Sequence, residues 1–305
     1  MNIKRFISAW LAALVISNVF AQTTVPKDIQ VLLMQQQKLI VSALSGASKI
    51  EEDEILKKRW TKNEKALARS YLSSKLKDIG LTAQEQKYKV NLAHKKPSLN
   101  PFEGTNLFAI FPATEPSEEY IIIGAHYDSV EESPGAMDNA TGCALIYGVS
   151  RLVTGLENRK KNLVIVFFDQ EETGHAGSYA FANYVKEKKF NIHSVHTADM
   201  IGWDKDKDRN IELELPSPDL ESVYKRHAQS FGILAYTTQT TETDHREFRN
   251  AGYNAVGIGG EYKHGDTSPH HHQPTDTFET VDFEYLAFVT FLVYKAVEQL
   301  MTEVN

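Results

Sequence analysis

One cysteine, Cys143, stands in the 305 residues, so no disulfide can form within the chain and its stability has to come from a packed core. Cys143 lies in an apolar helical stretch and reads as a packing residue, not as a nucleophile or ligand. Long apolar runs are missing too. The one near the start is short of the roughly 20 residues a bilayer span needs, and no later segment qualifies. The mature protein is therefore expected to be soluble. Basic excess is also missing: 33 Lys and Arg stand against 40 Asp and Glu, a net charge of −7, which argues against a nucleic-acid partner. No internal repeat, low-complexity tract or Pro/Gly-rich linker interrupts the chain, so one domain is expected although the length allows two.

What is present is ordinary globular composition, 42% hydrophobic and 24% charged, with length enough to bury a large core. At the start, Lys4 and Arg5 precede an apolar run from Phe6 to Val15, followed by small Ser17 and Ala21. That order is a secretory signal. It predicts cleavage after Ala21, a mature domain of residues 22–305, export to the periplasm or outside the cell, and no stable membrane association after cleavage. A retained N-terminal anchor is the competing reading, and no lipid-acceptor cysteine lies near the cleavage point. Losing Lys4 and Arg5, and no acid, takes the net charge from −7 to −9.

Charged and apolar residues interleave at helical spacing from 27 to 80, with Gly80 as a stop before an extended segment at 84–91. Short apolar runs at Asn106–Phe111, Tyr120–Gly124, Asn162–Phe168, Ser194–Ala198 and Asn254–Ile258 predict buried strands. Amphipathic stretches at 140–154, 176–188, 218–231 and 283–303 predict helices, and the scattered aromatics of 278–294 fit one face of the last. Alternation of this kind predicts an α/β fold: a mainly parallel, mixed central sheet covered by helices on both faces. Ligands in such folds bind beyond the carboxyl ends of the strands.

Those ends carry metal-binding groups. His126 and Asp128 follow the second strand run, Glu171 and Glu172 follow the third, Asp199 follows the fourth, and the last run leads to His270, His271 and His272. Asp138 and Asn139 stand between the second run and its helix. Each has a structural alternative: a helix cap for Asp138 and Asn139, first-turn acids for Glu171 and Glu172, a turn for Asp199, a solvated loop for the histidines. Five exits delivering His, Asp, Glu, Asp and His to one edge favour a metal site over five coincidences. Asp204-Lys-Asp-Lys-Asp208 lacks the glycine and final glutamate of a calcium loop and reads as a solvated turn.

Residues 60–300 resemble the zinc exopeptidases of bacterial leucyl aminopeptidase type, metallopeptidase family twenty-eight. The resemblance rests on Gly124-Ala-His-Tyr-Asp-Ser129, Pro134-Gly-Ala-Met-Asp-Asn-Ala-Thr-Gly142, Phe168-Asp-Gln-Glu-Glu-Thr-Gly174, Asp199-Met-Ile-Gly202 and His272-Gln-Pro-Thr-Asp-Thr277. It implies two zinc ions per chain bridged by Asp138, one also held by Glu172 and His272, the other by His126 and Asp199. It further implies Glu171 as general base, Asp128 as the carboxylate fixing the His126 tautomer, and a cis bond between Asp138 and Asn139. Met137 departs from the acid that many relatives carry there, at a position that is not a ligand. His270 and His271 read as surface residues, because only His272 has the right offset to Asp276 and Thr277. Thr243-Asp244-His245 resembles a family segment near the substrate pocket, or is a capped helix start.

The implied activity is hydrolysis of the first peptide bond of peptides with a free N-terminus. Nitrogen and oxygen ligands without thiolate suit catalytic zinc with open positions, and cobalt or manganese could replace it. A glutaminyl cyclase, which shares the scaffold but works with one zinc, is the first alternative. A carboxypeptidase or dipeptidase of similar architecture and a non-catalytic peptide-binding domain are the others.

Overall fold

A computed structural model describes residues 23–51, 53–92 and 101–303. The expected export signal at 1–21 lies outside the described residues. The helical pattern of 27–80 divides into two helices, α1 (Lys27–Leu44) and α2 (Lys62–Asp78). Gly46 breaks it, turning at φ +77 so close to the returning chain that a Cβ would come 3.0 Å from Leu56 O. The helix restarts at a capping box, Glu64 N donating to Thr61 Oγ1 at 3.3 Å and Thr61 N to Glu64 Oε2 at 2.7 Å.

Eight strands follow: β1 (Gln84–Val90), β2 (Phe102–Phe111), β3 (Glu119–His126), β4 (Asn162–Phe168), β5 (Asn191–Asp199), β6 (Ile211–Glu214), β7 (Ala235–Thr238) and β8 (Ala255–Gly259). They form one sheet in the order β1-β2-β4-β3-β5-β8-β6-β7. The central strands β4, β3, β5 and β8 are parallel, while β1 and β2 add antiparallel at one edge and β6 joins β8 antiparallel near the other. β6 and β7 are not predicted by the apolar runs: Ile-Glu-Leu-Glu is half acidic, yet all four residues are buried.

The helices are α3 (Thr141–Val153), α4 (Ala176–Glu187), α5 (Pro218–Phe231), α6 (His245–Asn250) and α7 (Phe283–Thr302). Strand alternation splits the core between the two faces. Ile121, Ile123, Leu163, Ile165 and Phe167 pack with the apolar faces of α1, α3 and α7. Ile122, Val164, Val166 and Phe168 pack instead with Phe181 of α4 and Phe248 of α6. Cys143 is fully buried in α3, its thiol donating to His126 O at 3.2 Å. Burial pushes the thiol up to about 12, so it packs and does not react.

Parallel register brings the strand ends together: His126 pairs with Phe168, and Gly124 with Thr197. Arg59, wholly buried, ties this edge to the loop between α1 and α2. Its guanidinium donates to Tyr127 O and Leu44 O, both at 2.6 Å, and to Pro134 O and Gly135 O, both at 2.8 Å. A lysine there keeps the charge but not the planar fork that reaches four carbonyls. Arg59→Lys is expected to lose about 2–3 kcal/mol through the carbonyls left unpaired. Urea unfolding at unchanged m-value measures the loss, and a change under about 0.5 kcal/mol would contradict the role.

Candidate active site

Between β3 and α3 the chain turns at Gly135 (φ +64) into a tight turn, Ala136–Ala140, and the Asp138–Asn139 bond is cis, as the resemblance implies. A Cβ at Gly135 would meet Asp138 O at 2.4 Å. Asp276, wholly buried, accepts from Met137 N at 2.8 Å and Asp138 N at 3.1 Å. Asn139 donates to Ala198 O at 2.9 Å and accepts from Gly142 N at 2.8 Å. The turn around Asp138 is thus fastened to the loop of Asp276 on one side and, through the Asn139 side chain, to β5 and α3 on the other.

The two oxygens of Asp138 face two different clusters. Oδ1 lies 3.3 Å from His126 Nε2, which is 3.3 Å from Asp199 Oδ1. Oδ2 lies 3.2 Å from His272 Nε2, which is 3.0 Å from Glu172 Oε2. All five proposed ligands therefore meet, on either side of one carboxylate. Asp128 stands behind them, its Oδ1 3.4 Å from His126 Nδ1, and it accepts from Glu171 N at 3.1 Å and Glu172 N at 3.3 Å. Glu171 is buried beside them, its Oε1 3.1 Å from His175 Nε2.

The residues fit a pair of cations. The donors are all nitrogen or carboxylate oxygen, and ligand atoms of His126, Asp138 and Asp199 lie within 4.8 Å of one another. Glu172 Oε1 is buried with no hydrogen-bond partner. Burial and then the charge of Asp138 push Glu172 up to about 8. Burial, against the pull of His126, pushes Asp199 up to about 6. Burial works against the His126 imidazolium, but Asp199, Asp128 and Asp138 hold it well above its usual range. Burial likewise opposes ionisation of Asp138, and hydrogen bonds to His126 and His272 outweigh it and hold the carboxyl low. Without a cation the centre balances its charge by holding protons on Glu172, His126 and His272, and bound cations would take the place of those protons.

The clusters open on a cavity of about 530 Å³ whose further walls include Met200, Glu214, Thr240, Glu242, Thr243 and Tyr262. Thr243 lines it, and His245 opens α6, but Asp244 at the start of that helix makes no side-chain capping hydrogen bond, so the segment stands beside the cavity and is not a capped helix start. His271 departs from the sequence reading in part: half-buried, it has Nε2 3.5 Å from Asp138 Oδ2 and its ring 3.9 Å from that of His272. Three consecutive histidines look alike until the turn that carries them is known. His270 packs edge-on against Trp203, 5.3 Å away. Asp206 and Asp208 are exposed as expected, but Asp204 is buried and accepts from Arg209 N at 3.3 Å. Sequence reasoning missed the roles of Asp276, His175 and Glu214. Only the Asp276 offset gave a signal.

The model of peptidase family M28 matches residues 106–297, and the chain belongs to that family. Aminopeptidase YwaD of Bacillus subtilis is 30% identical over 195 residues, 59% of this chain and 42% of that protein. A probable leucine aminopeptidase of Trichophyton verrucosum is 25% identical over 205 residues, 61% of this chain and 55% of that protein. The chain spans about half the length of these curated relatives. Among solved structures, the zinc aminopeptidase BSAP from Bacillus subtilis superposes with a TM-score of 0.76 at 16% identity, over 89% of this chain and 95% of that one. Glutaminyl cyclase of Porphyromonas gingivalis does so at 0.70 and 18%, over 88% and 98%. At such identities the likeness is one of fold.

Proposed function

We propose that the chain is a two-zinc aminopeptidase that, after export to the periplasm or beyond, releases the first residue of peptides with a free N-terminus. The observation that carries this is Asp138, whose two oxygens each face a separate His and carboxylate pair. Names of the relatives and of the fold neighbour support the same activity.

Asp138, His126 and Asp199 would hold one zinc, and Asp138, Glu172 and His272 the other. Bound zinc supplies Lewis acidity and lowers the pKa of its water from about 15.7 towards about 7. Asp128 Oδ1, 3.4 Å from His126 Nδ1, is placed to accept the proton of that nitrogen once metal is bound, which would leave Nε2 with its lone pair towards Asp138 and Asp199. Glu171 takes the proton of the attacking water and returns it to the departing amine. His175 Nε2 meets Glu242 O at 3.0 Å and lies 3.1 Å from that carboxylate, with Glu247 3.5 Å from its other nitrogen. The carboxylates around Asp199 suit the cationic α-amine of a free N-terminus.

An unblocked peptide and its N-acetylated twin test this. Free first residue is expected from the unblocked peptide only, and equal cleavage of both would remove the aminopeptidase reading. The shared fold makes glutaminyl cyclase the second reading. Meeting of His126 and Asp199 at Asp138 favours the peptidase. A Gln-initiated peptide that loses ammonia without releasing glutamine would reverse the order.

A further inference from the structure

Beyond the paired clusters the cavity continues over β8, where Gly257 and Gly259 carry no side chain. Glu214 of β6 uses that space. A Cβ on Gly257 would meet Glu214 Oε2 at 2.7 Å, and one on Gly259 would lie 3.5 Å from Oε1. Glu214 is 7% exposed, yet it lines the cavity, and its Oε2 is buried with no hydrogen-bond partner among the described residues.

The nearest imidazole cannot supply one. His245 Nδ1 lies 3.5 Å from Oε2, but His245 Nε2 is 2.9 Å from Thr240 O, a carbonyl that can only accept. Burial lowers this imidazole to about 4, so it is neutral with its one proton on Nε2, and Nδ1 presents a lone pair. The charges acting on Glu214 come from Asp199, Glu212, Glu171 and Glu242, all acids. Of the basic groups nearby, Arg246 donates to Thr241 O at 3.4 Å, and Lys263 Nζ lies 3.8 Å from Glu242. Burial first, and then the charge of Asp199, push Glu214 up to about 8, so the free protein holds it protonated, and a cationic group of a ligand would take the place of that proton and pair with the carboxylate.

We propose that this part of the cavity receives the side chain of the substrate's first residue and selects lysine or arginine, with Glu214 as counter-ion. The inference rests on the aminopeptidase reading above. Met200 and Tyr262 flank the alkyl stem, and Glu242, exposed at the mouth, adds a weaker second charge.

Zinc-loaded enzyme assayed on lysyl and norleucyl amides isolates the ammonium, since norleucine keeps the four-carbon stem of lysine without it. The lysyl substrate is expected to lead by about 10- to 100-fold in kcat/KM, and Glu214→Gln to bring that ratio to about 1. A wild-type enzyme that prefers norleucyl overturns the proposal. So does a Glu214→Gln variant that slows both substrates with the ratio unchanged, which would place Glu214 at the α-amine of every substrate. Cleavage of neither amide by wild type would instead sink the aminopeptidase reading, and this inference with it. Should the variant not fold, competition by lysinamide and norleucinamide on the wild-type enzyme decides: lysinamide is expected to inhibit about 10-fold more tightly, and equal inhibition overturns the proposal.

Discussion

Glu171→Gln is expected to keep both zinc ions and to lose about 100- to 10,000-fold in turnover, the usual worth of a general base. Glutamine matches glutamate in shape and still offers an oxygen to His175 Nε2, 3.1 Å from the present carboxylate. The backbone around it stays tied, because Asp128 accepts from the N–H groups of both Glu171 and Glu172. What is lost is the ability to carry a proton from water to the leaving amine. Zinc content and kcat measured on one preparation separate the cases. Near-normal turnover would take the proton transfer away from Glu171, and a halved zinc content would make it a ligand instead.

Stripping the metal is expected to cost about 4 kcal/mol if free zinc stands near 1,000 times its dissociation constant, a drop in Tm of roughly 5–10 °C for a domain this size. The carboxylates explain why. Without cations, burial and Asp138 hold Glu172 up at about 8, and burial holds Asp199 up at about 6. A carboxyl whose pKa rises on folding loses stability as the pH climbs from its unfolded value, about 4, to its folded one, because over that window the unfolded chain ionises more readily. His126 and His272 act in the same direction. Burial opposes the first and Asp199 leads its partners, while hydrogen bonds to Asp138 and Glu172 raise the second to about 10. Stability from raised imidazoles is complete below about 6.5 and fades as the pH rises through the folded values. Asp138, held low, has made its contribution below this window. Metal-free protein is thus expected to melt lower at about pH 8 than at about pH 5, with the gap to the zinc-loaded form wider at the higher pH. Equal melting temperatures with and without chelator would mean that no cation is held at this centre.

Strand runs such as Ile121–Ile123 and Asn162–Phe168 were legible because both faces of these strands are buried, which leaves an unbroken apolar signature. Glutamates on β6 were not, since Glu212 and Glu214 spoil the apolar pattern while the backbone still pairs with β8. The break between α1 and α2 was hidden for another reason. It comes from a close approach at Gly46 and from the carbonyls that Arg59 gathers, contacts between segments that spacing does not connect.

By itself the sequence determined the α/β order and the edge of the sheet where metal-binding side chains gather, and the resemblance of its motifs singled out His126, Asp128, Asp138, Glu171, Glu172, Asp199 and His272 as candidates. His126, Asp128, Glu171, Glu172 and Asp199 end or closely follow strands that local periodicity locates, whereas His272 lies in a loop well beyond β8 and was singled out by its motif. Tertiary structure alone decided that Asp138 turns one oxygen to each cluster, that His271 joins the centre, that Asp276 holds the turn, and that Glu214 faces the cavity without a partner. The physical reason is that a side chain's charge state and hydrogen bonds depend on what packs against it. At these positions the neighbours come from strand registers and loop turns far away along the chain.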